Sequence, residues 1–108
     1  MNFFKKIKHI HFVGIGGAGM IGIARVLLKK GYKISGSDIN DSNELKKIRK
    51  DGAKVSIGHS EKNIKGANLI VVSSAIDNKN PEIYKAKKES ITIIPVSYTH
   101  LRAHETIP

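Results

Sequence analysis

An apolar run that breaks into a glycine-dense turn and then resumes with helical spacing leaves a chain few ways to fold, and residues 9–24, HIHFVGIGGAGMIGIA, have that form. Ile10 to Val13 read as a short strand. Gly14, Gly16 and Gly19 then match G-x-G-x-x-G, and the strand–turn–helix context lifts the match above chance. In such turns the first glycine permits the tight bend, the second lets a pyrophosphate approach the backbone, and the third lets helix and strand pack closely. The new helix offers free N–H groups and a partial positive charge, which favour a phosphate. A ligand carrying a diphosphate is the first functional expectation.

The rest of the chain extends this beginning. Met20, Ile23, Ala24, Leu27 and Leu28 follow the i, i+3, i+4, i+7, i+8 spacing of an apolar helix face. Lys29 and Lys30 complement its C-terminus, and Gly31 suits the position after it. A second strand alternates through Tyr32, Ile34 and Gly36 and ends at Asp38. An acidic residue at this distance from the glycines accepts hydrogen bonds from ribose hydroxyls in dinucleotide-binding folds, and Asp38 is read in that role rather than as a turn cap. Asp41 and Glu44 have capping-box spacing for a second helix with Leu45 and Ile48 on its apolar side, ended by Gly52. Lys54 to Ile57 form a third strand.

His59 follows that strand on the ligand edge, which makes it a binding candidate, whereas His9 and His11 read as strand residues at the sheet's edge or end. Ser60 to Gly66 hold a turn or two of helix. Leu69 to Val72 is a continuous apolar run, as expected of a strand covered on both faces. It ends in Ser73-Ser74-Ala75, small residues able to face a ligand. Asn80-Pro81 starts a third helix, and Ile91 to Val96 complete a fifth strand. The expectation is a single α/β domain, a Rossmann-like doubly wound parallel sheet of about five strands, with its ligand across the carboxyl ends.

Composition narrows the partners. The 108 residues carry a formal net charge of +10, but the lysines are spread over helices with no interleaved aromatics to stack bases, so a solvated face is preferred to a nucleic-acid site. Cysteine is absent, which excludes disulfides and thiolate metal sites. No apolar run approaches the ~20 residues that span a bilayer, and the N-terminus lacks a secretory pattern, so a cytoplasmic protein is expected.

Four blocks in order, HFVGIGGAGMIGIARVLLKKGYKISGSD, GAKVSIGH, GANLIVVSSAI and NPEI, closely resemble the N-terminal domain of the Mur ligase family of bacterial peptidoglycan synthesis. Within that family the resemblance is to the branch that joins L-alanine to UDP-N-acetylmuramic acid, and it runs from about His9 to Pro95. It implies a three-domain ligase that uses ATP and Mg. The N-terminal domain binds the UDP portion. The central domain activates the muramoyl carboxylate as an acyl phosphate, which the amine of L-alanine attacks. Carried over by position, the turn Gly14, Ile15, Gly16, Gly17, Ala18, Gly19 and Met20 holds the diphosphate through backbone N–H groups. Ser37 and Asp38 lie near the uridine, with His59, Ser73, Ser74 and Ala75 along the same edge.

The departures from the family are equally specific. No G-x-x-x-x-G-K-[ST] loop for ATP occurs, and the central and C-terminal domains are missing, so no catalytic residue is assigned and residues 1–96 alone are expected to bind but not ligate. Ile21 replaces a small polar residue usual in the family. Residues 97–108, SYTHLRAHETIP, do not continue the family pattern and are expected to be a non-native or disordered tail. His100 and His104 there lack the H-E-x-x-H context, and no metal site is expected. A stand-alone nucleotide-sensing module that uses the same turn for NAD or another nucleotide is the alternative, followed by an NAD-dependent oxidoreductase domain.

Overall fold

A computed structural model describes residues 7–17, 19–74 and 76–96. Five strands, β1 (His9–Val13), β2 (Lys33–Asp38), β3 (Lys54–Ile57), β4 (Leu69–Ser73) and β5 (Thr92–Val96), form one sheet in the order β3-β2-β1-β4-β5. Every pairing is parallel; Phe12, for example, lies opposite Gly36 on one side and Val71 on the other. Three helices, α1 (Met20–Lys29), α2 (Asn43–Lys50) and α3 (Pro81–Lys88), and a 3-10 turn at Glu61–Ile64 provide the connections. The expected doubly wound α/β sheet is what forms.

Strand alternation divides the core in two. Ile10, Phe12, Ile34, Leu69 and Val71 face α1 and α2 through Met20, Ala24, Leu45 and Ile48. Val13, Ile70 and Val72 face the other way, against Ile64, Ile83 and Ala86. Phe12 is fully buried at the centre, and such burial contributes ~2–3 kcal/mol per large apolar side chain. The chain crosses between the layers after β3, so β1 and β4 lie side by side where the winding reverses. Ligands of such sheets bind in the crevice at that reversal.

Two local expectations are corrected. The cap of α2 is Ser42, whose hydroxyl accepts from the Leu45 N–H at 3.2 Å, while Asp41 takes the Ser42 N–H and the Arg49 guanidinium. Serine at the cap wins because its short side chain reaches back to the third amide of the helix. His9 does begin its strand, as an end position requires, but His11 lies inside it, and the strand is the central one of the sheet, where both are buried. The cap of α3 is Asn80, as its sequence implies, accepting from the Glu82 N–H at 2.9 Å. The tail 97–108 lies outside the described residues.

Candidate functional site

The carboxyl ends of β1, β2 and β4 converge on the glycine turn. Gly14 and Ile15 both donate N–H groups to the Ser37 carbonyl, at 2.8 and 3.0 Å, and the Gly16 N–H donates to Asp38 Oδ2 at 2.9 Å. The turn is thereby stitched to the end of β2. Gly17 donates back to the Gly14 carbonyl and Met20 to the Gly17 carbonyl, both at 3.0 Å. The side chain of Met20 is buried.

These five amides have protein acceptors, so the turn does not present all its donors to a ligand. Gly19 and Ile21 differ: their N–H groups meet no acceptor among the described residues. Gly19 is the N-cap of α1 at φ 82°, a left-handed conformation that glycine adopts without a Cβ penalty, and no side chain caps the helix. Uncapped helix starts leave donors for an anion. Ala18 lies outside the described residues, as does Ala75.

Asp38 points both carboxylate oxygens at its own chain: Oδ2 at Gly16 and Oδ1 at the Asn40 N–H, 3.2 Å away. A Cβ on Gly16 would meet Asp38 Oδ2 at 3.0 Å and Leu45 Cδ1 at 3.5 Å, so the bare side of that glycine is turned toward the carboxylate. Ser73 is half-buried beside Gly14, where an added Cβ would come within 3.3 Å of Ser73 Cβ. Ser74 is exposed, with its N–H donated to the Val96 carbonyl at 3.1 Å.

Ser37 and His59 are brought together. The Ser37 side chain is fully buried, its hydroxyl donates to Glu82 Oε1 at 2.7 Å, and His59 Nδ1 lies 2.8 Å away. With the only hydroxyl hydrogen committed to Glu82, Ser37 accepts from the His59 Nδ1–H. That assignment, made from the network, leaves Nε2 of His59 as the ring atom available to a ligand. The buried Ser37 side chain orients the His59 ring.

Glu82, at the second position of α3, is the residue that sequence reasoning passed over. Fully buried, it accepts from His11 Nε2 at 2.7 Å, the Ser60 N–H at 3.0 Å and Asn63 Nδ2 at 2.7 Å, besides Ser37. His59 Nδ1 is 3.5 Å from its Oε2. Burial alone would push this carboxyl up, but donation from His11, Asn63 and Ser37 outweighs it and pulls the pKa from 4.5 to about 2. Glu82 thus binds α3, β1, β2 and the loop carrying His59 into one network. The network runs on to Ser35 Oγ, 2.7 Å from His11 Nδ1 and 2.6 Å from His9 Nε2. Two buried histidines on one strand were the available signal, since each needs polar partners.

ATP and Mg, implied for the whole family, do not fit these residues. The phosphate-gripping loop is absent from the sequence, and no group of three His, Cys, Asp or Glu side chains suited to a metal occurs among the described residues. No helix among the described residues is long and apolar enough to cross a membrane.

Comparison with known proteins gives a consistent picture. The model of the Mur ligase family, catalytic domain, matches residues 9–99, three positions past Val96. The UDP-N-acetylmuramate–L-alanine ligase of Sulfurihydrogenibium sp. (strain YO3AOP1) is 52% identical over 93 residues, 86% of this chain and 20% of that protein. The enzyme of the same name from Persephonella marina is 48% identical over the same shares. The crystal structure of UDP-N-acetylmuramate–alanine ligase MurC from Thermotoga maritima superimposes with a TM-score of 0.79 at 32% identity, covering 92% of this chain and 22% of that one. The chain therefore spans about a fifth of the length of the relatives it matches.

Proposed function

The chain belongs to the Mur ligase family, and from that premise we propose that it is the part of a UDP-N-acetylmuramate–L-alanine ligase that binds UDP-N-acetylmuramic acid. The observation that carries the reading is the uncapped start of α1 behind Gly19, at the crevice between β1 and β4. The Gly19 and Ile21 N–H groups take the diphosphate there, with the helix dipole adding to their pull. His59 approaches the same ligand through Nε2, its ring held by Ser37 and Glu82. Ser73 and Ser74 flank the turn from β4. Asp38 acts first as the latch that holds Gly16, and reaches the ribose only if that latch opens. In the intact ligase, ATP-dependent activation of the muramoyl carboxylate and attack by L-alanine fall to parts of the enzyme outside the described residues.

Calorimetric titration of the chain with UDP-N-acetylmuramate, UDP, NADH and ATP tests the reading. Binding of the two uridine compounds, with NADH and ATP silent, is expected. Tight NADH binding without a response to UDP compounds would replace it with a nucleotide-sensing module.

A further inference from the structure

On the α3 face of the sheet, over β2 and β3, lies a cavity of about 200 Å³ whose lining includes Lys33, Lys54, Lys62, Lys65, Ser56 and His9. Parallel sheets are normally covered on both faces by apolar side chains. Here β2 and β3 instead turn Ser35, Lys54 and Ser56 to this face, paired in register as Ser35 with Lys54 and Ser37 with Ser56. No carboxylate lines the cavity. None of its four lysines makes an ion pair among the described residues, although six other basic side chains, His11, Arg25, Lys47, Arg49, His59 and Lys85, do. The Ser56 hydroxyl makes no hydrogen bond to another described residue, so a neutral donor stands beside the four cations.

We propose that this cavity is a second anion site, which takes a phosphate dianion as inorganic phosphate or a small phosphate monoester. Clustered ammonium groups repel one another unless an anion lies between them, and lysine binds phosphate as a point charge needing no planar geometry. The volume holds a phosphoryl group with a few further atoms. Because Lys33, Lys54 and His9 begin their strands, the cavity lies toward the end of the sheet opposite the glycine turn. The two sites lie toward opposite ends of the sheet, and the cavity meets the buried network behind His59 at His9, His11, Ser35 and Asn63.

His9 reports on occupancy. Its pKa is lowered from 6.5, first by burial and then by Lys33, His11 and Lys54, with Gly66 opposing. The groups facing it are His11 on β1, Lys33 on β2, Lys54 on β3, and Lys62 and Lys65 on the 3-10 turn and its end. An anion among these lysines offsets their repulsion and raises the His9 midpoint.

The test is titration of the full chain with inorganic phosphate at constant ionic strength, followed by the His9 ring and Ser56 amide resonances. Saturable shifts at both, with a rise in the His9 midpoint, are expected. The exposed pair Lys54→Gln/Lys62→Gln should weaken phosphate about tenfold or more and leave UDP binding unchanged. Lys47→Gln/Lys50→Gln on α2, which removes the same charge elsewhere, should leave phosphate affinity nearly intact. A linear, unsaturated response, equal losses in both double variants, or shifts at Gly19 and Ile21 instead of Ser56 would overturn the proposal. Loss of UDP binding in the parent chain with phosphate binding kept would count against the ligase reading alone.

Discussion

The side chain of Ile15 fills a notch that Gly36 leaves in β2: a Cβ on Gly36 would lie 2.6 Å from Ile15 Cδ1 and 2.8 Å from its Cβ. The glycine turn is thus seated on the sheet by a residue inside the turn, while its amides are tied to Ser37 and Asp38. Gly36→Ala should therefore do two things at once. Overpacking of a tight core costs ~1–3 kcal/mol, to be read from urea unfolding, and the lifted turn should weaken UDP measurably in calorimetry. Unchanged stability would mean that Ile15 finds another seat.

Gly19→Ala places a side chain at φ 82°, which costs ~1–2 kcal/mol. Thermal unfolding should show the loss, and UDP affinity should fall with it because the Gly19 and Ile21 amides no longer share one orientation. Gly22→Ala, within α1 with no atom inside 4 Å of the new Cβ, should leave stability the same or slightly higher and serves as the control.

Asp38→Ala removes the acceptor of Gly16 and so loosens the turn. If the latch is the main role, UDP and inorganic pyrophosphate should weaken alike, by about five- to tenfold, the equivalent of one charge-assisted hydrogen bond. A loss confined to UDP would restore the ribose contact that its position after β2 implies. Competition calorimetry with both ligands decides.

His59→Asn can keep a donor toward Ser37 while removing Nε2. Urea unfolding should change by less than ~1 kcal/mol, and UDP affinity should drop. His59→Ala, which also removes the donor to Ser37, should lose both stability and affinity.

Glu82 makes the fold sensitive to acid in a defined window. Its folded pKa is about 2 against 4.5 for the free group, so the native state binds this proton less readily than the unfolded chain. The stabilisation is full above pH 4.5, declines as pH falls, and is gone below about 2. Glu82→Gln should cost ~1–3 kcal/mol near neutrality by weakening the buried acceptors. It should also flatten the stability–pH curve across that window, as measured by urea midpoints at stepped pH.

Local pattern revealed most of the architecture because its causes are local. The alternation of Tyr32 to Asp38, the apolar stripe from Met20 to Leu28 and the Asn80-Pro81 start each report on neighbours a few residues away. The polar network is different. His9 meets Ser35 across 26 positions, and His11 meets Glu82 across 71, so neither partner lies within any periodic window. His11 therefore read as a residue at the sheet's edge or end, and Glu82 as part of an N-P-E-I block with no role of its own. The same holds for the turn: spacing marked Gly14, Gly16 and Gly19, but that Asp38 would occupy the Gly16 amide depends on where β2 ends.

Of the five strands described, the one translated first, β1, sits in the middle of the sheet. As the chain leaves the ribosome, β1 emerges with both edges bare, gains β2 soon afterward, and keeps its other edge open until Leu69–Ser73 has been synthesised. During that interval the edge of β1 that will meet β4 presents the unpaired backbone groups of His9, His11 and Val13, an adhesive surface for other chains. Slow translation between β2 and β4 would thus cost soluble yield without altering a single contact in the finished protein.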